Sequence, residues 1–444
     1  MNLDLTAARV EIENGAIRPS ELVEVCLDRI ERLDPHLNCF VEVDETAAIA
    51  AARRADSRIR SGMALSAIDG LPVALKDNIN AEGFETRNGT LYSHCFQKDA
   101  AVTEKLRSAG AVILGKLNMD ECAIGGTTDN VHFGQTINPW RPGYTAGGSS
   151  GGAGAAVAGG LALAALGTDT LGSVRLPAAY CGLVGLKATS GLIPTDGVIP
   201  LSRTLDHVGP ICRSVSDAKL LFDLLGAQTP TAPLQMDDLK GLRIGILDPS
   251  FTPVCTAEVI GAFQDSLSDL ESAGAVIKQI NITGPSSRDL RRTALLVIEA
   301  EGWSALSGSL MEQPEAYSDP LKSMLEYGRD IPAAKLEAAY QGILETKHKI
   351  VSLFAEIDFL VTPTTPQAAF PLTDTAPVNQ AEFTGLSNIA DCPALTMPNG
   401  LDASGMPTAI QFMAAPRQEQ LLFSTAQFME NIWGRLNVPV LISP

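Results

Sequence analysis

Apolar residues recur at helical spacing early in the chain: Leu22, Val23, Cys26, Ile30 and Leu33 mark one face of a helix, with Ser20 as its N-cap. Residues 45–61, rich in Ala and Arg, predict a second helix. Short continuous apolar runs bounded by turn residues predict buried strands instead. The first spans residues 70–75, with Lys76 at its far end; 111–114, 183–186, 242–247, 359–361 and 408–412 follow. Residues 102–109 and 155–166 predict helices, as does the charged stretch 287–349, and 143–154 predicts a Gly/Ser loop. Strands alternating with helices imply an α/β protein whose sheet is covered on both faces. No internal repeat or low-complexity linker interrupts the pattern. Residues 230–233, bounded by prolines, are the best candidate for a junction between two halves of one domain.

Composition narrows the partners. The chain has 444 residues, a normal length for one large α/β core with a smaller subregion, and 45% hydrophobic residues allow a large core. The 33 Lys and Arg against 51 Asp and Glu give a formal charge of −18. Such a surface repels phosphate backbones and anionic lipids, so neither a nucleic acid nor a membrane is expected as a partner; a homodimer stays open. Eight scattered cysteines with no C-x-x-C pair predict reduced thiols, not a disulfide framework. The first residues lack a basic region followed by an apolar one, so no signal peptide is expected. The most apolar stretch, 151–167, falls short of a span of roughly 20 residues and predicts a buried small-residue helix. A cytoplasmic protein is the expectation.

Several chemistries fail on spacing. None of the five histidines lies in an H-x-x-x-H pair or at zinc-site spacing from a cysteine, so no metal site and no cofactor are expected. His207, between Asp206 and Val208-Gly209-Pro210, predicts a turn residue, not a general base. Gly110 to Lys116 has P-loop spacing, but Leu117 replaces the magnesium-holding Ser or Thr and the intervening residues are strand-like. Gly152-Ala153-Gly154 opens a dinucleotide-binding pattern that Val157 breaks. Gly147-Gly148-Ser149-Ser150-Gly151 fits a nucleophile elbow, yet that reading needs a later acid and histidine, and only His207 and His348 follow.

The segment from Gly147 to Lys187, GGSSGGAGAAVAGGLALAALGTDTLGSVRLPAAYCGLVGLK, closely resembles the signature region of the amidase signature family. The likeness extends to LPVALKDNIN (71–80), to 115–121, to Asp206–Pro210 and to Gly405-Met406-Pro407, and is weakest between about 230 and 350. The resemblance implies the amidase signature fold, a central mixed β-sheet covered by helices, as one domain. Residues 1–228 would carry the catalytic core, 229–350 would be a variable helical specificity region, and 351–444 would complete the core. It also implies a Ser–cis-Ser–Lys triad: Lys76 in Leu75-Lys76-Asp77-Asn78, Ser149 as the cis serine and Ser173 as nucleophile, with the serines 24 positions apart. Backbone amides of Thr170, Leu171, Gly172 and Ser173 would form the oxyanion hole. Leu171 departs from a frequent glycine there, which leaves the backbone donors but reshapes the pocket. Gly125 and Gly126 would line the acyl pocket, Asp169 and Arg175 would be a structural pair, and Cys181 a core residue.

The implied chemistry suits these residue types. A serine hydroxyl needs a base to take its proton. Lysine serves only when neutral, so burial must lower its free value of about 10.4 by several units. Singly, each motif reads blandly: a solvated lysine, a loop, a helix cap. In this order and in matching blocks they imply an amidohydrolase that cleaves a small-molecule carboxamide. The resemblance leaves a second function open, the glutaminase component of a tRNA-dependent amidotransferase, to which the 118–121 block is similar. The acidic balance and the lack of a basic run in 321–341 argue against it. The intact Lys76, Ser149 and Ser173 argue against a third, a non-catalytic binding protein. The family's substrates range over fatty, peptide and aryl amides, ureas and carbamates, so the sequence leaves the substrate unassigned.

Overall fold

The computed structural model describes residues 3–94, 96, 98–226 and 234–436; the expected junction at 230–233 lies outside them. The strands are β1 (Phe40–Val43), β2 (Pro72–Lys76), β3 (Val112–Leu117), β4 (Asp129–Asn130), β5 (Gly134–Gln135), β6 (Ala164–Asp169), β7 (Val184–Lys187), β8 (His207–Cys212), β9 (Arg243–Leu247), β10 (Val276–Ile280), β11 (Phe359–Pro363), β12 (Ala394–Leu401) and β13 (Pro407–Ala414). β4 and β5 form a separate ribbon. The other eleven make one sheet in the order β1-β3-β2-β6-β8-β7-β12-β13-β11-β9-β10. It is mixed. The pairs β3–β2, β2–β6, β11–β9 and β9–β10 are parallel. The edge pair β1–β3 and the central pairs from β6 to β11 run antiparallel.

Both faces are buried, as the continuous apolar runs require. In β2, Val73 and Leu75 join one hydrophobic cluster while Ala74 between them joins another. The same alternation appears in β6, with Ala164 and Leu166 on one side and Ala165 on the other. Helices 215–225 and 419–433 cover the first face. The small-residue helix Gly151–Ala158 and the short helix Arg175–Tyr180 lie on the second, over the N-terminal half of the sheet. Over its C-terminal half, the second face is packed by the long helices Ser287–Glu312 and Ala333–Leu353.

Three expectations need correction. The helix predicted from Ser20 runs Pro19–Leu37, with Arg18 at its cap. Pro19 suits the first helical position, where no N–H is needed, and Glu21 accepts from the Arg18 N–H at 2.9 Å, so the boundary moves two residues upstream. The helix predicted over 155–166 is two elements. It begins at Gly151, inside the predicted loop, ends at Ala158, and gives way at Gly160, whose φ of +67° breaks the helix, to strand β6. The apolar stretch 151–167 is therefore a helix, a turn and the start of a strand. Third, His207 opens strand β8 and is buried; it is no turn residue.

Candidate active site

The sheet delivers the site's two anchors side by side. β2 and β6 are parallel neighbours, so Lys76 at the end of one stands near Thr168 at the end of the other. Lys76 Nζ donates to Thr168 Oγ1 at 2.9 Å and to Ser149 Oγ at 2.7 Å. Asn78 Nδ2 donates to the same threonine hydroxyl at 3.1 Å. Ser149 lies just before the helix Gly151–Ala158, and its peptide bond with Gly148 is cis. Lys76 and Ser149 are both fully buried.

Burial dominates the electrostatics. It pushes the Lys76 amine down from 10.5 to about 7, against the pull of the Asp120, Asp206 and Asp169 carboxylates. The same burial raises Asp120 and Asp206 to about 6 each. Asp120 accepts from the Thr127 amide at 3.3 Å and crowds Gly125: a Cβ there would stand 2.3 Å from its carboxylate carbon. Asp206 is tied to the loop after β6 through the Thr170 hydroxyl at 2.6 Å.

That loop, residues 170–173, carries Ser173 and turns the chain into the helix Arg175–Tyr180. Arg175 and Asp169 clamp its two ends. Asp169 takes the guanidinium in a two-pronged grip, Nη2 to Oδ1 at 2.8 Å and Nε to Oδ2 at 3.0 Å, and also accepts from the Val174 amide at 3.2 Å. Arg175 further donates to Thr384 O, Ser387 Oγ, Gln411 Oε1 and Asn388 Oδ1, all within 2.9 Å. Burial alone would raise the Asp169 pKa, but Arg175 and Asn388 outweigh it and hold the group ionised well below the usual carboxylate range. Gly172 sits at φ +136°, and a Cβ on it would stand 2.3 Å from Thr384 Oγ1. The main-chain N–H groups of Leu171, Gly172 and Ser173 find no protein acceptor among the described residues.

A cavity of about 280 Å³ opens onto this loop. Ser173, Leu171, Gly172, Gly125 and Gly126 all line it, so the structure brings together the nucleophile position, the oxyanion positions and the two glycines named from the sequence. Among the described residues Gly148 also lines it, while Lys76 and Ser149 do not.

Other functional groups were not read from the sequence. Thr168 holds Lys76, Asn78 donates to that same threonine, and Asp120 exerts the strongest acidic pull on the amine. Leu295, Ile298 and Arg291 reach the cavity from the helix Ser287–Glu312, and Val378 and Gln380 from the loop before Thr384. Thr168, Asn78 and Asp120 lie inside the quoted motif blocks; the cavity residues have no local signature. His207 proves to be a buried partner of Lys187, Nε2 to Nζ at 3.3 Å, and burial takes it down to about 3. Lys116, of the P-loop-like run, is consumed by Asp77 O at 3.1 Å, Glu85 O at 3.2 Å and Thr86 Oγ1 at 2.9 Å. Cys181 is a core residue.

Known proteins resemble the chain over nearly its whole length. The family model described as Amidase matches residues 21–423. The A component of the glutamyl-tRNA(Gln) amidotransferase of Chloroflexus aurantiacus is 33% identical, covering 95% of this chain and 94% of its own. Among solved structures, a crystal structure of an amidase superposes with a TM-score of 0.90 at 28% identity, covering 97% of this chain and 100% of that one. The native peptide amidase of Stenotrophomonas maltophilia gives a TM-score of 0.87 at 28% identity, over 100% and 99% of the two chains.

Proposed function

The chain belongs to the amidase family, and from that premise we propose that it hydrolyses a small-molecule carboxamide through an acyl-enzyme on Ser173, with Ser149 as proton relay and Lys76 as base. The observation that carries this reading is the buried 2.7 Å contact between Lys76 Nζ and Ser149 Oγ, with the amine brought to about 7, beside a cavity lined by Ser173. As Ser173 Oγ attacks the carbonyl carbon, its proton passes to Ser149, whose own proton passes to neutral Lys76. The carbonyl oxygen gains the negative charge and lies against the unused N–H groups of Leu171, Gly172 and Ser173. The relay then reverses: the amine leaves with that proton, and an acyl ester remains on Ser173. Water repeats the sequence, releases the carboxylic acid and restores the serine. Thr170 fits less well as an oxyanion donor through its side chain, because its hydroxyl is committed to Asp206; only its amide is available to that role.

The bond class proposed is a C–N bond other than an ordinary peptide bond, and the setting cytoplasmic. The seven described cysteines, all free, support a reducing compartment, and among the described residues no helix is long and apolar enough to cross a membrane. The specificity region is the helical segment within 229–350, supported by Arg291, Leu295 and Ile298 in the cavity wall. A second reading, the glutaminase component of an amidotransferase, is favoured by curated relatives that carry the name of that enzyme's A component.

A serine-directed fluorophosphonate tests the first reading. It should add to Ser173, located by peptide mass spectrometry. Adduct on Ser149 with Ser173 untouched would restore the nucleophile-elbow alternative. A turnover screen of the purified chain alone, across primary amides, anilides, biuret-type ureas and glutamine, separates the two readings.

A further inference from the structure

The cavity that holds Ser173 is apolar over most of its wall, with Leu171, Leu176, Leu201, Leu295 and Ile298 among its lining. Besides Ser173 and Thr170, two polar side chains break that pattern, and both offer donors. Arg291 lines the cavity, yet its ion pair with the buried Glu382 uses Nε alone, at 3.4 Å from Oε1. Glu382 is itself held by the Ser287 hydroxyl at 3.1 Å. Neither terminal nitrogen of the guanidinium has a protein acceptor among the described residues. That leaves the two-pronged edge of the group, the edge that matches a carboxylate, without a partner.

Gln380 is the second. Tyr180 Oη accepts from Gln367 Nε2 at 2.8 Å and donates to Gln380 Oε1 at 3.1 Å. With its oxygen taken by a donor, the Gln380 amide turns Nε2 toward Gly126, where a Cβ on that glycine would stand 3.1 Å from it. Gln380 Nε2 has no protein acceptor among the described residues. Among the described residues, no Asp or Glu side chain belongs to the cavity lining. The wall thus presents unused N–H groups to its contents and no carboxylate of its own.

We propose that this cavity selects an amide carrying a carboxylate, joined to the scissile carbonyl by a short apolar chain, with Arg291 and Gln380 as the groups that recognise the anion. The inference rests on the amidase reading of Ser173 and names the substrate class of that site. Arg291 supplies the charge and the planar pair of donors. Glu382 fixes the guanidinium by its Nε edge, so less freedom is lost when the carboxylate arrives. The apolar wall excludes water and strengthens the pairing.

The test compares ω-carboxy primary amides of three to six carbons with methyl-terminated amides of equal length. Wild-type kcat/KM should favour the carboxylate member by at least about tenfold at the best length, as expected for hydrogen bonds to a charged group. In Arg291→Met that ratio should fall by about ten- to a hundredfold, chiefly through KM. Arg291→Lys should recover part of it. Because Arg291→Met strands Glu382, the double variant Arg291→Met/Glu382→Gln is read alongside, and it should show the same collapse. A wild-type ratio near one, or a ratio the Arg291 variants do not move, would overturn the proposal. Fluorophosphonate labelling of Ser173 in the same samples separates the layers. Labelling with no carboxylate preference removes the anion subsite alone; no labelling and no turnover of any amide removes the amidase reading and the subsite with it.

Discussion

Lys76 makes the sharpest demand at the scale of one residue. A fully buried amine held near 7 is about half neutral at neutral pH, whereas an exposed lysine would be almost wholly charged. As base it acts only in the neutral form, so kcat/KM should rise as pH passes through about 7 and then level off. A profile flat from pH 5.5 to 9 would contradict that role. Lys76→Met and Lys76→Arg should each lose at least about a hundredfold in kcat/KM, since neither side chain can accept a proton in this range. Near-normal turnover by the arginine variant would leave the lysine only an electrostatic part. Stability gives an independent reading. Between about 7 and 10.5 the unfolded chain keeps this proton and the folded chain does not, so the lysine's contribution to stability rises with pH across that window. Lys76→Met should therefore melt at or above the wild-type temperature near pH 6, with the gap narrowing toward pH 10. The sequence exposed Lys76 through its place at the end of an apolar run. It did not expose Thr168 as the partner of both Lys76 and Asn78, because that meeting depends on two strands becoming neighbours across a separation of some ninety positions.

At the scale of an element, the turn from β6 into the helix Arg175–Tyr180 concentrates the constraints of the site. Its shape depends on a glycine where no side chain fits and on a buried ion pair that spans it. Gly172→Ala would drive a methyl group into Thr384 and Leu176 and move the free N–H groups. We expect a loss of at least about a hundredfold in kcat, the scale of removing one oxyanion donor, read by steady-state kinetics on a protein checked by circular dichroism. Arg175→Met would leave Asp169 charged and unpaired in a dry interior. It should cost roughly 3–5 kcal/mol of stability by chemical denaturation, as breaking other buried pairs does. A loss below about 1 kcal/mol would mean that the pair only trades evenly with solvent. Elements such as β2, β3, β9 and β11 were legible because each is a short apolar run between turn signals. The segment 151–167 was not. Every residue from Gly151 to Ala158 and from Ala164 to Asp169 is buried, so no polar face reveals whether the period is 3.6 or 2. Only the left-handed turn at Gly160 separates helix from strand there, and a glycine in a glycine-rich run carries little information.

For the whole molecule, charge and cavity bear on the same choice, between an enzyme that works alone and a glutaminase within a tRNA-dependent assembly. The fold and the family were legible because the matching blocks spread over most of the chain. The cavity wall was not, because Arg291, Gln380 and Ser173 come from three distant segments and meet only through the sheet's crossover order. Glutamine carries an α-carboxylate and an α-ammonium on the same carbon. The wall offers Arg291 and Gln380 to the first, but among the described residues no Asp or Glu side chain lines it to receive the second. Burying an ammonium without a carboxylate partner is unfavourable. Glutaramic acid has the same chain, amide and carboxylate and lacks only the ammonium. The purified chain should therefore hydrolyse glutaramic acid with a kcat/KM at least about tenfold above that for glutamine, a factor that one unsatisfied charged group readily accounts for. The same chain, at −18 formal charge, should retain no glutamate-charged tRNA in filter binding at about 0.15 M salt, the physiological ionic strength. Glutamine preferred over glutaramic acid, together with tRNA retention, would reverse the choice and assign the chain to an amidotransferase. Glutaramic acid preferred, with no tRNA bound, makes the cavity wall the discriminator: it accepts the anion and rejects the cation beside it.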